Sequence, residues 1–290
     1  MEKIMEEEKE VLLLYPIHFN SKIKKDILIG DDIKLRRIIE KEIQDIFNLK
    51  VQARDEDRLI TRCLKFSNLD TPFITGHTAY KHFIESSQFI LEAKNVQKVE
   101  YFQQALKLHK SGKTGISFGI HPKSKSLRFF YPVPFYGKEV YSLEEEDLPK
   151  IKELYSCIKK TIDKKFDLII EKFLFGLSGE GIRDEHRFLE LVSILEILYL
   201  LGEWGEKTFK FSLRAAKVLS KYLSLDSEEV FDKMNKIYKV RSELSHSGFH
   251  KDTKKYLNEL INYTRQSIKL FLQENRLFTK GELDNLCIKN

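Results

Sequence analysis

From about residue 147 to the C-terminus the sequence carries only one kind of local signal. Apolar residues recur at three- and four-residue spacing through segments near 147–175, 183–201, 206–223, 227–247, 252–275 and 279–287, with glycines or polar clusters between them. A chain written this way buries its apolar stripes only by packing helix on helix. The segment 227–247 is the most informative. Asp226 followed by Glu229 is a capping-box start, and Gly248 stands where a helix stop favours a residue tolerant of left-handed backbone. Val230, Met234, Ile237, Arg241 and Leu244 follow one stripe. A guanidinium in the middle of that stripe is costly unless it meets a carboxylate or another anion. His246 lies about 140° around the helix from Arg241. Tyr238, Ser242 and Ser245 fill the sector between them.

The first half reads differently. Residues 11–15 suggest a strand. Ile33, Leu35, Ile38, Ile39, Ile43, Ile46 and Phe47 predict a helix over 31–49, and further helices are expected near 79–94 and 96–110. Residues 50–75 fit no single period. Residues 115–120 and 126–131 look like paired strands across a turn at 121–124. Pro132 and Pro134 confine the continuation of the second strand to an edge or loop. Acidic residues 144–147 open the next helix, as the helix dipole prefers. The expected class is α+β, with a mixed N-terminal region over 1–145 and an all-α bundle over 146–290.

Composition narrows the setting. Of 290 residues, 42% are hydrophobic and 32% charged, as in soluble globular chains. The net charge of +6 is spread evenly, about +2 over residues 1–150 and +4 over 151–290. Bulk charge therefore neither demands nor excludes nucleic acid, and a local groove would have to hold any polyanion. Cys63, Cys157 and Cys287 are far apart and odd in number, which argues against a disulfide framework or zinc site and fits a reducing cytoplasm. The N-terminus is acidic and unlike a signal peptide. The longest apolar run, 188–201, is interrupted by Glu190 and Glu196 and is too short to span a bilayer, so no membrane association is expected.

Several motifs lose to simpler readings. Ser111-Gly112-Lys113-Thr114-Gly115 lacks the glycine five residues ahead of Gly112 that a phosphate loop requires; Lys107 stands there, inside a helical pattern. The glycines at 176, 179 and 181 do not succeed a strand and read as a loop. His77, His82, His109 and His121 have no ligand spacing, and Gly248 should break the helix between His246 and His250. No metal and no cofactor is expected. Glu196, embedded among Phe188, Leu191, Val192, Ile194, Leu195 and Leu198, should have a cationic partner, for which Arg241 and Arg214 are the candidates. Such a pair could be purely structural, or it could orient Arg241.

Arg241-x-x-x-x-His246, preceded by residues 236–240 and succeeded by Ser247-Gly248, resembles the Arg-x(4–6)-His signature of the HEPN superfamily, most nearly its Apea-like branch. The apolar helix 187–198 with embedded Glu196, and the segment 211–219 with Arg214-Ala-Ala, are similar to that branch in order and spacing. The resemblance covers about 150–278, and it departs from the family at Ser247, where the His usually adjoins a Gly directly. It implies a helical bundle that forms a homodimer, with the Arg/His helices meeting at the interface. It further implies a metal-independent endoribonuclease acting on RNA in a toxin or antiviral defence setting, with a regulatory partner protein, or else a non-catalytic dimerisation, nucleotide- or RNA-binding module. Arg241 and His246 would be the catalytic pair, with Tyr238, Ser242, Ser245, Glu196 and Arg214 in support. The 2′-OH of RNA is its own nucleophile, so no metal is obligatory. His246 would move the proton of the leaving group, and Arg241 would hold the phosphate.

Overall fold

The computed structural model describes residues 13–17, 20–21, 23–38, 89–112, 114, 118–121, 126–129, 140–161, 163–178, 182–203 and 205–288. The chain divides into two compact units, 1–159 and 160–290. The division falls some fourteen residues beyond the expected 145–146, so the first helix after the β-rich region belongs with the sheet. With strands in one unit and a helical bundle in the other, the class is α+β.

In the first unit, β1 (Leu13–Ile17), β3 (Ile27–Ile29), β4 (Ile33–Arg37), β5 (Phe89–Ala93), β6 (Phe118–His121) and β7 (Ser126–Phe129) form an antiparallel sheet in the order β3-β4-β5-β1-β6-β7. β2 (Asn20–Ser21) pairs in parallel with β8 (Ser142–Leu143). The strand expected at 11–15 appears at 13–17. The pair expected at 115–120 and 126–131 forms with Phe118 opposite Phe129 and His121 opposite Ser126. Residues 50–75 and Cys63 lie outside the described residues.

Two helices expected here are overturned in part. Residues 33–37 are a strand, because Ile33 and Leu35 are buried while Lys34 and Arg36 face outward, a period of two. Gly30, at φ +58°, supplies the turn that folds β4 back on β3. The end of the helix expected over 79–94 is β5, an interior strand buried on both faces, whose continuous apolar run mimics a buried helix. The remainder of 39–49 and 79–88 lies outside the described residues.

α1 (Val96–His109) packs Val99, Phe102, Ala105 and Leu106 inward. Gly112 lies three residues past its end, where its carbonyl accepts the Nζ proton of buried Lys107 at 2.9 Å, and a Cβ there would strike Tyr141 Cα at 2.6 Å. That close packing is the reason for a glycine in Ser-Gly-Lys-Thr. α2 (Leu148–Lys160) buries Ile151, Leu154, Tyr155 and Ile158. Asp32, beside the β3–β4 turn, pairs with Lys98 at 2.7 Å and with Lys159, and accepts from Tyr155 Oη at 3.4 Å, tying this turn to α1 and α2.

The helix expected over 147–175 is two. Asp163 takes the Lys165 amide on its side chain at 2.9 Å, a local bond that competes with helix continuation and starts α3 (Lys165–Leu177). The second unit then runs through α4 (Asp184–Tyr199), α5 (Lys207–Leu223), α6 (Ser227–Ser247), α7 (Thr253–Gln273) and α8 (Lys280–Ile288). α4 is central, touching α3, α5, α6 and α7. Its buried residues Phe188, Leu191, Val192, Ile194, Leu195, Leu198 and Tyr199 lie on one broad face, a little under half of its circumference. Tyr199 packs edge-on against Phe211 and Phe271 and meets Ser267 Oγ at 2.8 Å. α5 and α6 form the most extensive helix pair.

Candidate functional site

α6 begins where Asp226 Oδ1 accepts the Glu229 amide at 2.7 Å. It ends at Gly248, whose φ of +70° puts it in the left-handed region while its N–H still reaches the Leu244 carbonyl at 2.9 Å. Ser247 is therefore the last helical residue, one place past His246. Val230, Met234, Ile237 and Leu244 are buried as the spacing predicts. Arg241 leaves the core at this level, keeping 33% of its side-chain exposure.

Its partner is Glu196 of α4, with Nη2 at 3.1 Å from Oε1 and 3.3 Å from Oε2. Tyr238, one turn before Arg241, donates its hydroxyl to Glu196 Oε1 at 3.0 Å, and the guanidinium carbon lies 5.7 Å from the Tyr238 ring centre. Glu196 is less enclosed than its apolar neighbours suggest. It stands on a half-exposed stripe of α4 with Leu189, Ser193 and Ile197, facing away from the bundle interior. Burial, and next to it the Glu196 carboxylate, pushes the Tyr238 phenol up to about 12.

Ser245 Oγ donates to the Arg241 carbonyl at 2.9 Å and accepts from Arg241 Nη1 at 3.4 Å. Ser242, Ser245 and His246 are exposed. Arg241 and Ser245 form one line along the helix, and Ser242 and His246 the next line round, so the sector from guanidinium to imidazole is a continuous polar surface.

Arg214 is not part of this cluster. Its guanidinium, 1% exposed, reaches Glu203 at 2.7 Å, Asp284 at 2.5 Å and the Tyr199 carbonyl at 2.9 Å. Glu203 also accepts from Lys210 at 2.8 Å and pairs with Lys280 at 3.0 Å. Of the two cations proposed for Glu196, only Arg241 is there, because the end of α4 and the loop after it carry competing acceptors closer to Arg214. Two acids and two lysines scattered between positions 203 and 284 give no sequence pattern from which this network could be found.

His250 is engaged elsewhere. Its Nε2 lies 2.8 Å from Glu243, and its Nδ1 accepts the Asp252 amide at 3.1 Å. Its role and that of His246 separate at Gly248, as the glycine implies. His109 pairs with Asp147 at 2.9 Å, while His77 and His82 lie outside the described residues. No group of three or more His, Cys, Asp or Glu side chains is placed to hold a metal ion among the described residues, and none of the described helices is long and apolar enough to cross a membrane.

No family model, curated protein or solved structure matches the chain. A guanidinium has five N–H donors in a planar fork, and Glu196 and Ser245 occupy only some of them. An arriving phosphate would meet a pre-aimed cation, two hydroxyls and an exposed imidazole near the end of the helix.

Proposed function

We propose that the chain is a metal-independent endoribonuclease of the HEPN kind, and that Arg241 and His246 carry the reaction. The observation supporting this is the accessibility of both groups: His246 is exposed and Arg241 is held at the rim of the bundle by Glu196, with neither sealed in the core. In the reaction a ribose 2′-OH loses its proton and attacks the adjacent phosphorus. The bond to the 5′-oxygen breaks, leaving a 2′,3′-cyclic phosphate and a 5′-hydroxyl end. Arg241 stabilises the charge that develops on the phosphoryl oxygens. Protonated His246 gives its proton to the departing 5′-oxygen. Ser242 and Ser245 bind the ribose or phosphate, and Tyr238 steadies Glu196.

One helix supplies one proton-transfer side chain, and the reaction needs two. A homodimer that places a second His246 across a two-fold axis would supply the base. The half-exposed stripe of α4 that includes Leu189 and Ile197 is suited to such a contact.

The test is cleavage of single-stranded RNA in EDTA by the intact chain and by Arg241→Ala and His246→Ala. Wild type should yield cyclic-phosphate ends, and each variant should lose at least a hundredfold in rate while unfolding at the same temperature (about 10²-fold or more for a lost general acid or charge stabiliser). Intact protein that cuts no RNA would favour a binding module, in which Glu196 neutralises Arg241 for structure. The 3.1 Å ion pair is the observation on that side.

A further inference from the structure

The turn after α6 presents an aromatic ring that the bundle does not use. Phe249 is 61% exposed, three residues past His246. Its backbone is nevertheless pinned on both sides. Ser247 Oγ lies 2.6 Å from the Phe249 carbonyl, 3.3 Å from its amide nitrogen and 2.8 Å from the Glu243 carbonyl. His250 is anchored by Glu243 at 2.8 Å and by the Asp252 amide at 3.1 Å, and its carbonyl accepts from Thr253 Oγ1 at 2.7 Å. A ring exposed on a fixed backbone is preorganised for a ligand with an apolar face.

Charge just beyond the ring specifies which ligand. Lys251, Lys254 and Lys255 are exposed, and none of the three is in an ion pair among the described residues. Asp252 is the only acid between His246 and Lys255, and Glu243 just before them is engaged by His250. Lysine is depleted at protein–protein interfaces, so this surface is a poor match for another protein. An exposed ring followed within six residues by three lysines that no carboxylate pairs with among the described residues fits a single-stranded polynucleotide, whose bases stack while its phosphates take the lysines.

We infer that the α6–α7 turn is a single-strand subsite: Phe249 stacks an unpaired base next to the scissile phosphate, and Lys251, Lys254 and Lys255 bind the neighbouring backbone. The choice of RNA rests on the ribonuclease reading of the same helix end. The subsite would select unpaired over duplex RNA, because a paired base has no free face for the ring.

A 2′-O-methyl oligonucleotide tests it without cleavage, since it has no free 2′-OH. Its anisotropy is titrated with the full chain over a series of salt concentrations. Phe249→Ala should weaken binding about tenfold or more, and Phe249→Trp should retain it. Replacing the three lysines by Gln should flatten the slope of log affinity against log salt by about 2, since each phosphate neutralised on a single strand accounts for roughly 0.7 of that slope. Equal binding by Phe249→Ala, an unchanged slope, or capture by phosphatidylserine vesicles instead of the oligonucleotide would overturn the inference. So would a change in sedimentation on Phe249→Ala, which would make the ring a contact between chains. Binding that meets these expectations in a protein that cuts no RNA would sink the nuclease reading alone. Cleavage with binding indifferent to Phe249 would sink the subsite alone.

Discussion

Glu196 receives the Arg241 guanidinium on both oxygens and shares Oε1 with the Tyr238 phenol, and both ions of the pair stay partly in water. A half-exposed pair of this kind contributes about 1 kcal/mol or less to stability. Glu196→Gln should therefore fold and melt within a few degrees of wild type. What should change is Tyr238. Burial remains in the variant but the adjacent negative charge is gone, so the phenol, held at about 12, should titrate at lower pH. Tyrosine-labelled carbon NMR across the alkaline range reads this directly, with Tyr238→Phe to assign the resonance. A variant that unfolds would instead make the pair a structural strut and favour the non-catalytic module. At this scale the sequence is a good guide to the pairing of Arg241 with Glu196, because a cation and a carboxylate within apolar stripes each advertise a missing partner. It misplaced Arg214, since which acid a buried cation meets depends on helix rotation and crossing, and neither is written in spacing.

Two glycines bracket the range of what an element can tolerate. Gly248 has nothing within 4 Å of an added Cβ, so Gly248→Ala suffers only from its left-handed backbone, about 1 kcal/mol. Gly176 is helical, but a Cβ there would sit 2.6 Å from Leu191, itself wholly buried. Gly176→Ala should cost more, about 1–3 kcal/mol, from overpacking between α3 and α4. Urea midpoints of the two variants check the order, and the reverse order would contradict the packing. The contrast also explains what could be read in advance. The helices of the second unit are legible because each exposes one polar face, and Asp226 and Gly248 mark the limits of α6. β4 and β5 are not, because Ile33 and Leu35 fit a period of two while Leu35 and Ile38 fit a helical step of three over the same short span, and an interior strand such as β5 has no polar face to betray its repeat.

Across the whole molecule, each unit holds carboxylates well below their ordinary range, Glu203 and Glu282 in the helical unit and Asp147 and Asp32 in the first. Lys210, then Arg214 and Lys280, hold Glu203 at about 2. Burial would raise Asp147, but Lys110, the Glu144 amide and His109 outweigh it and hold it likewise at about 2. A carboxylate depressed in the folded state lends its stability above its unfolded value and loses it as pH falls toward the folded one. Both units should therefore weaken between about pH 4.5 and 2, where carboxylates of ordinary value protonate in the unfolded chain. Glu203→Gln should flatten that dependence in the helical unit, as urea midpoints at pH 3 and 6 would show. Arg214→Ala removes the closest partner of Glu203 and a partner of Asp284 but leaves Lys210 and Lys280 on Glu203, and should lower the urea midpoint at neutral pH.

Arg214 has a reach that its burial conceals. Its guanidinium joins Asp284 on α8 to the carbonyl of Tyr199 at the end of α4. The amide just beyond that carbonyl, from Leu200, closes the helical turn onto Glu196. Loosening α8 would fray that turn and blur the aim of the carboxylate, so a lesion at Asp284, far along the chain from the histidine, should register as faster amide exchange at Leu200 before anything else in the bundle gives way.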